Sequence, residues 1–224
     1  LHLLSRRQRQ MCIRDRFGTS GVNAIGSFQL SQLNSSSVKS KLKAAGINTN
    51  SKQYKAAVKQ MMSAGNGAMY GNIQGIKNLM SHYDKDGDYI NPVNGLAGLL
   101  VTDENESSRK RIISIPDSSK EEMYELTKKE FLRENGVCNG DTTKRTDVYN
   151  NLYRKMSKKD RLAAGYTLEK YERIYRQAFY DAAKKADPNW EIGKPIKAGA
   201  LDDVTRETAE TGKSPAQATL DTKI

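Results

Sequence analysis

Cysteine and histidine are scarce in this chain, which has two residues of each among 224. Cys12 and Cys138 form neither a Cys-x-x-Cys pair nor a disulfide framework, and a tetrahedral zinc site needs clusters of cysteine and histidine. A nucleophilic Cys138 would also need a base, and His82 is the only histidine after Arg16. We therefore expect no zinc site and no thiol catalysis.

Long apolar runs are missing as well. The mean hydropathy is −0.75, and no run approaches the roughly 18 apolar residues that a membrane span requires. Hydrophobic residues make up 37% of the chain, and aromatic residues are few except for 11 tyrosines. This composition predicts a mostly α-helical protein with a modest core, two small helical lobes and no membrane span.

The segment from Leu1 to Arg16 carries five arginines against one acidic residue, Asp15, without helical or strand periodicity. The run from Arg7 to Arg16 resembles translated sequencing-adapter read-through, which is excluded from fold reasoning. A short basic arm is the alternative. Without this segment the chain has 32 basic and 25 acidic residues, so the formal net charge falls from +11 to +7. That charge no longer requires a nucleic-acid partner.

Composition and periodicity divide the whole chain into five segments. Residues 1–35 begin with the arginine-rich segment and continue with many Gly, Ser, Asn and Gln residues. This composition predicts that they form a disordered or non-native segment that leads into the fold. Residues 36–101 are predicted to be an N-terminal helical lobe, because apolar residues recur there at three- and four-residue spacing. Asn50 or Ser51 is expected to cap its second helix, and a third helix, from about Asn72 to Tyr83, leads into an acidic loop.

Residues 102–118 contain an acidic block, a basic block and a short β-branched run that ends at Pro116. This order predicts an irregular linker with at most one edge strand. Residues 119–190 are predicted to be a C-terminal helical domain. A capping box, Ser118 with Glu121 or Ser119 with Glu122, is expected at its first helix.

The end of this domain is predicted to hold two separate helices. A short one is expected to begin at Ser157 and end at Gly165, and Thr167 is expected to cap the last long helix. Asp187 followed by Pro188 ends that helix. From residue 191 to residue 224, Gly, Pro, Thr and Lys dominate, which predicts a frayed tail.

Asp84, Asp86 and Asp88 place three carboxylates at alternating positions in one short loop. Calcium takes six to eight oxygen ligands, and helix-loop-helix calcium sites supply them from positions 1, 3, 5, 7, 9 and 12 of a loop. With Asp84 at position 1, the other two aspartates fall at positions 3 and 5. These three residues are therefore the candidate metal ligands, and Ca²⁺ is the candidate ion.

The rest of that loop departs from the calcium pattern. Tyr89 stands at position 6, where glycine makes the sharp turn, and Gly95 stands at position 12, where a glutamate binds the ion through both oxygens. Pro92 occupies position 9. A solvated acidic turn is the competing interpretation, because Asp and Gly are ordinary turn formers.

Tyrosines and basic residues alternate in the C-terminal half, as in single-strand binding surfaces that stack bases in a basic groove. The competing interpretation is that the tyrosines belong to the core and that the basic residues, mixed with acidic ones, form a solvated face. The tyrosines concerned are Tyr149, Tyr153, Tyr166, Tyr171, Tyr175 and Tyr180.

Two stretches, Asn139 to Arg145 and Asp160 to Tyr171, resemble an uncharacterised helical family of clostridia-like Gram-positive gut bacteria. The resemblance extends from about Val38 to Asp203. It implies a bacterial helical protein whose full-length form is longer than this chain, and it brings no known activity.

The sequence shows no nucleophile with a base and no cofactor loop, whereas helix signals are abundant. We therefore expect a non-enzymatic helical interaction or structural protein with a protein partner. The alternative is a nucleic-acid-binding module that uses the basic, tyrosine-rich C-terminal helices. Location stays open between the cytoplasm and export without a recognisable signal peptide.

Overall fold

Residues 27–64, 70–136 and 142–212 are described by the computed structural model. The chain divides after Leu100 into two compact units. The mostly α-helical prediction is confirmed, because the described residues form eight α-helices and only one pair of two-residue strands. Cys138 and part of the Asn139 to Arg145 stretch lie outside the described residues, as does most of the predicted entry segment.

The first unit contains three helices and a short antiparallel strand pair. Its elements are strand β1 Phe28–Gln29, a 3₁₀ turn Leu30–Gln32, helices α1 Ser36–Ala44 and α2 Lys52–Ala64, strand β2 Tyr70–Gly71 and helix α3 Ile73–Met80. Ser51 caps α2, one of the two residues that the sequence predicts for that role, and Asn72 caps α3. The Ser51 Oγ accepts the Tyr54 N–H at 3.1 Å, and the Asn72 Oδ1 accepts the Gly75 N–H at 2.7 Å.

One apolar core joins the helices of the first unit. The buried side chains follow the three- and four-residue spacing of an amphipathic helix. They include Val38 and Leu42 of α1, Tyr54, Ala57 and Met61 of α2, and Ile76 and Leu79 of α3.

The second unit is a bundle of long helices. Its elements are α4 Glu106–Arg109, α5 Asp117–Glu134, α6 Thr142–Lys155, a 3₁₀ turn Lys158–Asp160, α7 Arg161–Ala186 and α8 Arg206–Gly212. Helices α5, α6 and α7 pack against one another in pairs. Helices α5 and α6 run antiparallel, since Arg145 at the start of α6 pairs with Glu130 near the end of α5, and Asn151 lies 3.0 Å from Glu122. The core includes Met123, Leu152, Leu168, Tyr175 and Phe179.

Helix α5 begins without the predicted capping box. Pro116 stands at the N-cap and makes no side-chain cap bond, and Asp117 supplies a carboxylate to the first turn. Ser119 is fully buried instead of capping the helix. The fixed φ of proline suits a helix start, and the carboxylate interacts favourably with the positive end of the helix dipole.

Helix α7 is continuous where two helices were predicted. Gly165 and Thr167 both lie inside it, and neither ends nor begins a helix. The Thr167 hydroxyl donates to the Ala163 carbonyl at 2.8 Å and accepts the Ile113 N–H at 3.1 Å. Thr167 therefore joins the linker to α7, because its hydroxyl bonds both to Ala163 within the helix and to Ile113 in the linker.

The predicted linker is irregular apart from α4, and no strand forms between residues 102 and 116. Ile115 is buried in the core of the second unit, and Ile113 packs against that core. These β-branched residues therefore pack against the core of the second unit without pairing as a strand.

The prediction of a frayed tail is wrong over residues 191–212. Trp190 is only 4% exposed, and Leu201 and Ala209 are buried in the core of the second unit. The Tyr124 hydroxyl donates to the Val204 carbonyl, and the Gly193 N–H donates to the Asn135 Oδ1 at 2.7 Å. The segment is ordered because a few large apolar side chains and backbone hydrogen bonds fasten it to the bundle, despite its polar composition.

Within the described part of the chain, the helices are all too short or too polar to cross a lipid bilayer.

Candidate functional site

The acidic loop that follows α3 is organised by Asp84. Its Oδ1 accepts the backbone N–H groups of Asp86 and Asp88, both at 2.9 Å. The Asp84 N–H in turn donates to the Asp88 carbonyl at 2.9 Å. Asp84 thus acts on the backbone of its own turn, as aspartate commonly does.

Gly87 holds the same loop against the start of α2. Its φ is +87°, and a Cβ at this position would lie 3.0 Å from the Lys52 carbonyl oxygen. Both observations require glycine here, two residues before the position at which a calcium loop needs it. The loop is therefore built differently from a helix-loop-helix calcium site.

The three aspartates do not converge in this conformation. Among the described residues, no group of three or more His, Cys, Asp or Glu side chains is placed to hold a metal ion. Calcium binding by Asp84, Asp86 and Asp88 stays a prediction.

The tyrosines of the second unit lie mostly inside its bundle. Tyr149 and Tyr175 are buried, and the Tyr175 hydroxyl donates to Glu210 at 2.7 Å. Burial raises the pKa of both phenols, and it raises the pKa of Tyr153 to about 12. The buried rings of Tyr149 and Tyr175 offer no free face on which a nucleic-acid base would stack. The other four candidate tyrosines are partly exposed, namely Tyr153, Tyr166, Tyr171 and Tyr180.

The arginines beside these tyrosines are neutralised by carboxylates. Arg145 pairs with Glu130 and lies 2.7 Å from Glu172. Arg176 lies 2.6 Å from Glu134 and 3.2 Å from Glu130. Burial disfavours the charge of Arg145, but its bonds to the two glutamates outweigh that effect and raise its pKa. This network joins α5, α6 and α7, and its role is structural.

A groove runs along the surface between α5 and α6. Its volume is about 510 Å³, and its apolar floor is made by Leu126, Leu132 and Val148. Leu126 and Val148 are buried, whereas Leu132 is 46% exposed. Leu132 is the one large apolar residue on the described helices of this unit that is markedly exposed, and it lies beside two buried apolar residues of the groove. It marks this groove as a candidate binding surface.

The rim of the groove is charged differently at its two ends. Lys128, Lys129 and Lys144 line the end nearest the C-terminus of α5. Glu122 and Glu125 line the other end, where Lys155 lies 3.2 Å from Glu122. We call this surface the α5–α6 groove.

The sequence contains one signal for this groove. Leu132 follows Phe131 directly and falls off the stripe of Met123, Thr127 and Phe131 that faces the bundle. An apolar residue on the polar side of an amphipathic helix indicates a second contact surface. The pairing of α5 with α6, which forms the rest of the groove, required the structure.

A family model described as a domain of unknown function, DUF3879, matches residues 47–224, so the chain belongs to that family. The matched region contains both the acidic loop and the α5–α6 groove. No curated protein and no solved structure matches the chain.

Proposed function

We propose that this member of the family is a non-enzymatic helical protein that binds a partner protein through the α5–α6 groove. The observation that carries the proposal is Leu132, the one large apolar side chain on the described helices of the second unit that is markedly exposed, which lies in the groove between α5 and α6. The same sequence evidence that predicts no catalysis supports the non-enzymatic part. The bacterial origin and the cellular location remain predictions.

The shape of the groove favours an α-helix as the occupant. Two antiparallel helices leave a channel between their side chains, and the apolar face of an amphipathic helix fits such a channel. The floor of Leu126, Leu132 and Val148 gives the contact its apolar centre. The partner segment would therefore lie on the bundle as an additional helix.

The charges of the rim set the direction of that helix. Lys128 and Lys144 favour acidic side chains at one end of the partner, and Glu125 favours basic ones at the other. A reversed helix would place like charges together and lose affinity. The proposed partner is thus an amphipathic helix with an acidic end and a basic end.

Two synthetic helical peptides of about four turns test this proposal. Both carry leucines on one face. One has an acidic end and a basic end, and in the other glutamine replaces every charged residue. Binding is measured by fluorescence anisotropy with the full chain. We expect the charged peptide, whose acidic end meets Lys144, to bind at least about tenfold more tightly than the uncharged one, which is roughly 1.4 kcal/mol.

Two substitutions make the test specific to the groove. Leu132→Asp should weaken binding at least tenfold, whereas Val93→Asp, at an 82% exposed valine in the first unit, should leave it unchanged. Lys144→Glu should reduce the preference between the two peptides. Equal binding of both peptides, or equal loss in the Leu132 and Val93 variants, would contradict the proposal.

A further inference from the structure

The helices of the first unit carry charges of one sign only. Between Phe17 and Tyr83 the sequence contains no aspartate and no glutamate, but it contains seven lysines. All seven are exposed, and within the described residues none of them forms an ion pair. They are Lys39, Lys41, Lys43, Lys52, Lys55, Lys59 and Lys77, and together they are called the lysine surface.

The second unit differs sharply in this respect. Residues 101–224 hold 24 basic and 22 acidic residues, and several of the arginines there are paired with carboxylates, Arg145 and Arg176 among them. Residues 17–100 hold eight basic residues and three acidic ones, and those three are the aspartates of the acidic loop. The net positive charge that lies beyond Arg16 is therefore concentrated on the helices of the first unit.

The lysines occur in rows on the helix surfaces. Lys52, Lys55 and Lys59 have three- and four-residue spacing on α2, so they share one exposed face and span about 10 Å. Lys39 and Lys43 repeat the four-residue spacing on α1. Like charges at this spacing destabilise a helix by a few tenths of a kcal/mol per pair. No carboxylate on α1, α2 or α3 offsets that repulsion, and the nearest acidic segment, the loop of Asp84 to Asp88, packs at Lys52 at the start of α2. A lysine-rich surface with so few carboxylates fits an anionic partner.

The chemistry of the surface distinguishes among anionic partners. Residues 17–108 contain no arginine, the residue that most often reads guanine through two hydrogen bonds. Phe28, Tyr54 and Tyr83 are buried, so they provide no platform for stacking single-stranded bases. Lysine contacts phosphate as a point charge, without reading the base sequence.

A membrane surface fits less well. Helices that lie on anionic lipid carry a broad exposed apolar face beside their lysines. Helices α1 and α2 bury their apolar residues in the core of the unit, and Met62 is the one large apolar residue of these two helices that is markedly exposed. We propose that the lysine surface binds the phosphate backbone of double-stranded nucleic acid, without sequence preference.

The experiment uses the full chain and compares three sets of substitutions. Lys52→Gln, Lys55→Gln and Lys59→Gln together remove one row of the lysine surface. Lys110→Gln, Lys159→Gln and Lys197→Gln remove the same charge from exposed positions of the second unit. A third variant replaces the five arginines between Leu1 and Arg16 with Gln. Circular dichroism confirms that each variant is folded, and the α2 variant should melt no lower than the unsubstituted chain because repulsion is reduced.

Binding to a labelled duplex of mixed sequence is measured by fluorescence anisotropy from about 50 to about 200 mM salt. We expect the α2 variant to lose at least tenfold in affinity at low salt and to reduce the slope of log K against log salt by about 2 to 3. The variant of the second unit should change affinity less than threefold. A duplex of different sequence should bind within a factor of two.

Four results would overturn the proposal. They are no binding at low salt, equal losses in the two lysine variants, loss only in the arginine variant, and binding to anionic phosphatidylserine vesicles but not to the duplex. The loss confined to the arginine variant would assign binding to the segment from Leu1 to Arg16 instead.

Discussion

Gly165 of α7 lies directly against the phenol of Tyr153 in α6, and a Cβ at Gly165 would stand 2.6 Å from the tyrosine Oη. The next nearest atoms, Tyr153 Cε1 and Cζ, would be 3.1 and 3.3 Å away. Glycine here lets two long helices approach closely at a point where a Cβ would force the Tyr153 ring to shift. It therefore sits inside a helix even though it favours helix ends in isolation.

Gly165→Ala is expected to destabilise the second unit by about 1 to 2 kcal/mol, because forced overpacking outweighs the roughly 1 kcal/mol gained in helix propensity. Gly212→Ala is the matched control, since a Cβ at that helical glycine meets nothing within 4 Å. Urea unfolding of both variants measures the difference. A Gly165→Ala protein as stable as the Gly212→Ala control would show that α6 and α7 are not held at this distance.

The same glycine explains why one part of the fold was not predictable. Local signals identified α2 and α3 correctly, because Ser51 and Asn72 bond to the first turns of their own helices. Gly165 and Thr167 carry equally clear local signals, but their contacts are with Tyr153 and Ile113, which are distant in sequence. A local rule fails where a distant contact decides the conformation.

The order of residues 191–212 and the α5–α6 groove could not be predicted for the same reason, because both depend on contacts between residues that are distant in sequence. Trp190 is buried because it packs against Phe131 and Tyr180, with ring centroids 6.1 and 5.7 Å apart, and composition alone does not show this. The α5–α6 groove exists only once the two helices are paired. Asp84, Asp86 and Asp88 were identified from their spacing, but the spacing did not show that Asp84 bonds to its own backbone.

Glu130 is the central carboxylate of the ion-pair network in the second unit. It is buried, pairs with Arg145 and lies 3.2 Å from Arg176. Glu130→Ala should destabilise the protein by about 2 to 3 kcal/mol, because it leaves two half-buried guanidinium groups with fewer partners. Glu134→Ala should cost under about 1 kcal/mol, since its side chain is 45% exposed.

Urea unfolding compares the two glutamate variants, and Arg145→Met, made alone and combined with Glu130→Ala, completes a double-mutant cycle. The combined loss should be smaller than the sum of the single losses, because the two side chains interact. Additive losses would show that Glu130 and Arg145 are not coupled.

The raised pKa of Tyr83 predicts that the first unit loses stability at high pH. Burial, with a smaller contribution from Tyr89, raises the pKa of Tyr83 to about 12, compared with about 10 in an unfolded chain. The folded state keeps this proton more tightly, so its contribution to stability is complete below pH 10. It is lost as the pH rises from about 10 to about 12, by roughly 1 kcal/mol per pH unit.

Tyr83→Phe should remove that part of the pH dependence. It should also cost about 1 kcal/mol at neutral pH, because the Tyr83 hydroxyl donates to the Gln60 Oε1. Urea unfolding between about pH 8 and pH 12, followed for both proteins, checks the two effects. An unchanged slope above pH 10 in the variant would mean that Tyr83 is not the group responsible.

Asp84 is expected to stabilise its loop in the absence of metal. Asp84→Ala removes the acceptor of two backbone N–H groups and should lower the free energy of unfolding by about 1 to 2 kcal/mol. Asp84→Asn keeps a side-chain oxygen at the same position and should have little effect. Thermal unfolding in chelator compares the two variants, and equal melting temperatures would contradict this role.

A separate prediction concerns calcium binding by the same loop. If Asp84, Asp86 and Asp88 bind the ion only in the folded state, calcium at a hundredfold excess over its dissociation constant should add about 2.7 kcal/mol of stability. Replacing Asp86 and Asp88 with Asn should erase that gain and, in chelator, stabilise the loop slightly by reducing repulsion among carboxylates. Calorimetry with calcium, with magnesium and with chelator separates these effects. The same melting temperature in all three conditions would leave the loop as a turn that Asp84 holds through its backbone.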